Sequence, residues 1–469
     1  MTGSTDPLLA FARRDRSDGL AHFRKQFIGL EPDGVGSSRA AAVGTAAAHP
    51  AGGIRAYFDG NSLGRPTIAS AERIQRFIAE EWGGRLIRGW DERWMELPFT
   101  IGDRLGAAAL GASAGQTFIG DSTTVLLYKL ARAAVDAPRA SAPSSTDPSL
   151  AGSLGAGVAA EAHRASAPSS TARTEIVLDT DNFPTDRYVL AGIAAERGLT
   201  LRWIDADPRA GVTPSQVAEA VGPQTALVVL SHVAYRSGHL ADAEAITRIA
   251  HDAGALVLWD LCHSAGSVPI QLDAWGVDLA VGCTYKYLNG GPGSPAFGYV
   301  RADLQEVLRQ PIQGWMGAAD VFAMGPSYVP ASGLRRFLSG TPPIVGMLAI
   351  EDTLAMIEDR SIQAVRAKSV ELTEFAIRLF DEWLAPLGAE LASPRDPAER
   401  GGHVTIGHPA MREVTAALWR QDVIPDYRDP GGLRIGLSPL STSFEEVYVG
   451  MAAVRDTLRA ELLRRSGLA

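Results

Sequence analysis

Between residues 174 and 300 the chain alternates short apolar runs with stretches whose apolar residues return every three to four positions. The runs EIVLDT, LTLRWID, ALVVLSHV, ALVLWD and DLAVGCTY read as strands, each ending abruptly in polar residues. Between them a segment near 185–197, then PSQVAEAV and DAEAITRIAHDAG, carry the helical period. Strands apolar on both faces and separated by helices predict an α/β protein, its mostly parallel sheet covered on both sides. From about residue 345 helical patterns dominate, in IVGMLAIEDTLAMIEDR and SVELTEFAIRLFDEWLAPLG. HVTIG and LRIGLS then read as strands of a smaller α+β unit. Residues 8–30 read as one amphipathic helix, followed by a Gly/Ala-rich connector. Residues 136–173 are an Ala/Ser/Pro/Gly-rich insertion that contains RASAPSST twice, at 139–146 and 164–171. The expected division is an N-terminal segment 1–56, a large domain 57–345 and a small domain 346–469, with a cleft between the two domains.

Composition narrows the function. Of 469 residues, 46% are hydrophobic, enough to bury more than one core without disulfide or metal staples. The 53 acidic and 44 basic residues leave a formal net charge of -9, so no global positive field draws in nucleic acid or an anionic membrane. No run approaches the roughly 18 apolar residues that span a bilayer, and MTGSTDPLLAFARRDRSDG lacks a signal-peptide core. The expectation is a cytoplasmic protein without nucleic-acid or membrane partners. Cys262 and Cys283 lie in apolar segments without zinc-site spacing, so neither a metal nor a disulfide framework is expected. Only four basic residues are lysines: Lys25, Lys129, Lys286 and Lys368. Where arginine fills nearly every positive position, a lysine at a strand end needs a chemical reason.

In open α/β sheets ligands sit beyond the carboxyl ends of the strands. Three consecutive ends carry polar groups: Ser231 and His232, then Asp260 and His263, then Thr284, Tyr285 and Lys286. An amine and a carboxylate on neighbouring tips match what pyridoxal phosphate requires. The amine holds the aldehyde as a Schiff base, and the carboxylate keeps the ring nitrogen protonated. Gly120, Asp121, Ser122, Thr123 and Thr124 precede an apolar helical run and so offer hydroxyls and backbone N–H groups to a phosphate. Phe183, after the strand EIVLDT, is placed to cover a pyridine ring. Singly, Asp260 also reads as a turn residue, DSTT as a helix cap and Phe183 as core. Their conjunction, in this order, points to the cofactor.

The strings YFDGNSLGRP, LIRGW with LPFTIGDRLGAAALGA, DSTTV, NFPTDRY, SHVAYRSG, WDLCHSAG, AVGCTYKYLNGGPGSPAF, GWMG and FLSGTPPI run in order from residue 57 to about 345. Together they resemble the kynureninase family. The resemblance implies a pyridoxal 5'-phosphate-dependent enzyme of transferase fold type I, with a seven-stranded sheet in its large domain. It implies a homodimer with sites at the subunit interface, and a small amino-acid substrate. The implied reaction is hydrolysis of L-kynurenine, or a ring-substituted kynurenine, to an anthranilate and L-alanine by Cβ–Cγ cleavage. In the roles it carries over, Lys286 binds the cofactor aldehyde and Asp260 pairs with the pyridinium nitrogen. Thr123, Thr124, Tyr285, Trp315 and Thr341 serve the phosphate, some from the partner subunit. Phe183 stacks on the ring, while Thr185, Asp186, Ser231 and His263 line the cofactor. Tyr285 relays protons, Arg434 holds the substrate carboxylate, and Asn61 and Trp90 shape the aryl pocket.

The chain departs from the family pattern at Ser441, where a tyrosine is usual after Pro-Leu, and at Gly89-Trp90-Asp91. Two other functions fit parts of the pattern. A cysteine desulfurase-like or β-eliminating lyase of the same fold would need a cysteine on a mobile loop, whereas Cys262 and Cys283 adjoin the strand ends. A binding protein that has kept the fold without turnover would be expected to lose Lys286, Asp260 or Tyr285 first, and all three are present.

Overall fold

The computed structural model describes residues 14–30, 53–137 and 173–467. Its strands are β1 (Ala56–Phe58), β2 (Thr117–Gly120), β3 (Glu175–Asp179), β4 (Thr200–Ile204), β5 (Thr225–Ser231), β6 (Leu256–Asp260), β7 (Leu279–Gly282), β8 (Ala296–Val300), β9 (Glu390–Leu391), β10 (His403–Gly407), β11 (Val423–Arg428) and β12 (Gly432–Gly436). A seven-stranded sheet has the order β2-β8-β7-β6-β5-β3-β4, and a five-stranded sheet the order β1-β11-β12-β10-β9. In the larger sheet β3 to β7 are mutually parallel, and β8 runs antiparallel to both β7 and β2. The α/β class and the mostly parallel seven-stranded sheet are as expected from the sequence.

Alternate residues of the larger sheet enter different cores. Val177, Val228, Leu230, Val257, Trp259 and Ala280 pack on one face. Ile176, Leu178, Leu227, Val229, Leu258 and Leu279 pack on the other. Helices cover both faces, which is why these strands read as continuous apolar runs. One face of the smaller sheet forms an apolar core: Phe58, Val404, Ile406, Leu433 and Ile435 pack against the helices Ile362–Trp383, Met411–Trp419 and Phe444–Arg465. Its other face carries His403, Thr405 and Arg434 and meets the larger unit, with Thr405 Oγ1 donating to Arg236 O and Arg434 Nη1 to Tyr235 O.

Three details differ from the sequence reading. In place of one helix over 8–30, the described part holds a turn of helix at 14–17 and a second at Ala21–Arg24. Asp18 separates them. Its carboxylate accepts from Leu20 N and pairs with the buried Lys368, local bonding that competes with helix continuation. IVGMLAIEDTLAMIEDR is likewise two helices, Ile344–Met347 and Ile350–Arg360. β1 lies in the smaller sheet, parallel to β11, although it opens the segment read as the large domain. The connector from 31 to 52 and the insertion from 138 to 172 lie outside the described residues. Among the described residues no helix is long and apolar enough to cross a membrane.

Candidate active site

Register brings the strand tips together. Ser231 on β5 pairs with Asp260 on β6, and Asp260 with Val281 on β7. Asp260 Oδ1 accepts from Cys262 N at 2.8 Å, and Ser231 Oγ, whose proton has Asn182 Oδ1 nearer at 3.0 Å, lies 3.4 Å from Oδ2, so a backbone donor fixes the carboxylate. Five residues beyond Val281, Lys286 sits in a turn whose carbonyl accepts from Asn289 N. Gly64 N donates to Tyr285 O at 2.9 Å. A Cβ at Gly64 would collide with Lys286 O, so the DGNSLG segment closes on the lysine turn only with glycine there.

Lys286 is buried, and its Nζ lies 3.2 Å from His263 Nε2. Burial and the positive charges of Lys286 and Arg434 push His263 well below its ordinary value, so the imidazole is neutral. Asp186 is buried on the helix Pro184–Arg197. Burial, then the negative charges of Asp260 and Asp179, pushes its carboxyl up, while Lys286 opposes the shift. Asp179, ending β3, is pushed up to about 7 by burial and by Asp181. Cys262 feels Asp260 and Lys286 with opposite sign. Asp186, Asp260, Cys262 and Lys286 therefore lie close enough for Asp260 and Lys286 to act on both of the others through their charge. The Tyr285 hydroxyl, pushed up by burial and by Cys283 and Cys262, stays protonated, and Lys286 Nζ lies 5.8 Å from its ring centroid.

On the phosphate side, Ser122 caps the helix Thr123–Val135 by accepting from Val125 N. The first intrahelical bond is Leu126 N to Ser122 O, so the N–H groups of Thr123 and Thr124 precede the ladder. Cys262 Sγ lies 3.8 Å from Thr123 Oγ1, which joins this helix start to the β6 tip. Phe183 meets Tyr235 edge-to-face at 5.3 Å and 90°. Thr185 is half-buried, in the first turn of the helix that carries Asp186.

The smaller sheet supplies Arg434. This side chain is 1% exposed and donates to Asp426 Oδ2 (2.7 Å), Tyr235 O (2.6 Å) and Ser62 Oγ (2.9 Å). Asn61 is buried beside the same strand: a Cβ at Gly436 would collide with its Oδ1, and its amide has no hydrogen-bond partner among the described residues. Three expected residues are not drawn into the cluster. Trp90 is half-buried and packs edge-to-face on Trp94. Trp315 and Thr341 are exposed, with Trp315 against Phe322. His232 turns away from the site, its ring edge-on to Trp259 and Trp275.

The sequence reading missed four participants. Asn182 accepts from Ser231 Oγ at 3.0 Å, Asp426 anchors Arg434, and Ser62 accepts from it. His403, on β10, lies ring to ring with His263 at 6.0 Å and is driven down to about 3 by burial and Arg434. Asn182 adjoins the quoted Phe183 and was within reach. A histidine or aspartate inside a short strand gives no such signal.

Two relatives settle the family. Kynureninase from Pseudomonas fluorescens is 38% identical over 437 residues, covering 92% of this chain and 91% of its own. Kynureninase from Burkholderia pseudomallei is 38% identical over 453 residues, covering 96% and 95%. The chain belongs to the kynureninase family. The family model for the kynureninase C-terminal domain matches residues 365–454, and that of the DegT/DnrJ/EryC1/StrS aminotransferase family matches 169–270. Solved structures share the fold at lower identity. A cysteine desulfurase from Thermococcus onnurineus NA1 has a TM-score of 0.68 at 18% identity, covering 86% of this chain and 95% of its own. The cystine C-S lyase C-DES, in complex with its product cysteine persulfide, has a TM-score of 0.69 at 18% identity, covering 85% and 97%.

Kynureninases use pyridoxal phosphate, and the residues present fit it. Asp186 Oδ2 is buried without a hydrogen-bond partner among the described residues, within reach of the charges of Asp260 and Lys286. The helix start at Thr123 faces the same region through Cys262. An amine, a fixed carboxylate, unfilled polar positions and an anion-favouring helix start make up the donor set that such a cofactor demands.

Proposed function

We infer that this chain hydrolyses the Cβ–Cγ bond of L-kynurenine, giving anthranilate and L-alanine, with Lys286, Asp260, Tyr285 and Arg434 carrying the reaction. The observation behind this assignment of residues is that Lys286 and Asp260, just beyond and at neighbouring strand ends, are buried together with Asp186 in the first turn of the helix Pro184–Arg197. Pyridoxal phosphate, when bound, supplies the electron sink that makes Cα and then Cβ acidic enough to ionise. Asp260, held by Cys262 N–H, keeps a proton on the ring nitrogen. Lys286 Nζ removes the proton from the substrate Cα, and the neutral His263 beside it adds no competing positive charge. Water adds to the Cγ ketone of the substrate; as the Cβ–Cγ bond breaks, Cγ leaves as the anthranilate carboxylate, and Tyr285, protonated across the neutral range, delivers the proton that Cβ needs to become the alanine methyl. Arg434 presents a planar fork to the substrate carboxylate and is pre-oriented by Asp426, Ser62 and Tyr235 O. Phe183, braced by Tyr235, would cover the ring, and Asn61, buried with an unpartnered amide, would bound the aryl side.

A homodimer completes the site in this reading. The segment carrying Trp315 and Thr341 exposes Trp315, Phe322, Met324, Val329 and Val345. That much apolar surface fits burial against a second copy, whose phosphate Trp315 and Thr341 then reach. The test is product analysis of the loaded enzyme with L-kynurenine, 3-hydroxykynurenine and L-cysteine. Anthranilate and alanine from kynurenine are expected, with no alanine from cysteine. Alanine from cysteine alone would move the chain to the desulfurases, although its two cysteines are buried.

A further inference from the structure

Three of the four lysines in this arginine-rich chain are buried: Lys286 at the strand tips, Lys368 paired with Asp18, and Lys129, which is fully enclosed. Lys129 lies in the second turn of the helix Thr123–Val135, and its stem runs back toward the helix start, as long helical side chains do. Nζ donates to Asp121 Oδ2 at 3.0 Å and to Phe337 O. Asp121 stands directly before the capping Ser122, in a left-handed conformation at φ 46°, and its carbonyl accepts from Ala296 N. A compact ammonium on a thin stem fits between a helix and a backbone carbonyl where a guanidinium would not.

This arrangement presents an electrostatic problem and its remedy. The helix start favours an anion, but Asp121 places a carboxylate two residues before Thr123. Unpaired, that carboxylate would repel a phosphate dianion. We propose that Lys129, held in place by Phe337 O, is a positioning residue for the cofactor phosphate that acts by neutralising Asp121 beside the helix start. The proposal rests on the reading of Thr123 and Thr124 as phosphate holders.

The test measures equilibrium binding of pyridoxal phosphate and of pyridoxal, which lacks the phosphate, to cofactor-free protein. Lys129→Met is expected to weaken pyridoxal phosphate about ten- to thirtyfold, as one unpaired charge at close range predicts, and pyridoxal less than about twofold. Adding Asp121→Asn to that variant removes the stranded carboxylate and is expected to restore phosphate-dependent binding to within about threefold of wild type. Equal losses for the two ligands, or a double variant no better than the single, would overturn the proposal. If Lys129→Met does not fold, the neutral double variant decides: binding within about threefold supports the proposal and weaker binding overturns it. A wild-type protein indifferent to the phosphate would sink both this proposal and the placement at Thr123. Borohydride trapping of the cofactor on Lys286 separately reports whether the rest of the site reading stands.

Discussion

The two sheets contribute to the site in different ways. The seven-stranded sheet offers groups at or just beyond its strand ends: Ser231, Asp260 and, after β7, Tyr285 and Lys286. The five-stranded sheet offers groups from within its strands, Arg434 on β12 and His403 on β10, on the face opposite its own core. The first sheet is buried on both faces, so polar chemistry fits only where the strands stop. The second has an apolar face on its own core and a polar face, equally buried, against the larger unit, so alternation selects the residues that meet that unit. In the proposed function, chemistry falls to one sheet and recognition to the other, and that division can be broken experimentally.

The largest effect is expected at the strand tips. Lys286→Ala should lower turnover at least about 10⁴-fold and end borohydride labelling by the cofactor, with the far-UV circular dichroism unchanged. Retained catalysis would remove the larger sheet's claim to the chemistry. Next comes the stability cost of crowding acids at those tips. Burial and then Asp181 push Asp179 up to about 7 from the ordinary carboxyl value of 3.8, so between those two values the folded protein holds a proton that the unfolded chain has released. That stabilisation is fully present below about pH 4 and is lost as pH rises through 7. Asp179→Asn should therefore gain on wild type with rising pH, by on the order of 4 kcal/mol above pH 8 in urea unfolding of cofactor-free protein. A difference independent of pH would refute this account of the shift.

Smaller effects belong to the other sheet. Arg434→Lys keeps a cation beside Asp426 but loses the fork, and should cost about thirtyfold in kcat/KM, chiefly through KM. Lys286 labelling should persist in this variant, and its loss would show that the two sheets' roles are not separable. Ser62→Ala removes one orienting contact of Arg434 and should raise KM about threefold, measured by steady-state kinetics.

This contrast also marks which parts of the protein can be read from its residues alone. The parallel sheet, its ordering groups Asp260 and Lys286, and the capped helix start at Ser122 are local facts, because apolar runs that stop at a polar residue announce both the strand and its end. The motif order resembling kynureninase carried Arg434 as well. Tertiary structure alone decided that β1 joins the distant β11, that Asp18 breaks the first helix to meet Lys368, and that Asp426, Ser62 and Tyr235 converge on Arg434. It also decided that His403 faces His263, that His232 turns into the core, and that Lys129 serves Asp121. Periodicity shows which face of an element is apolar. It is silent on which remote segment will cover the polar face, since that depends on how packed layers meet, and the energy of a buried charge depends on the partners found there.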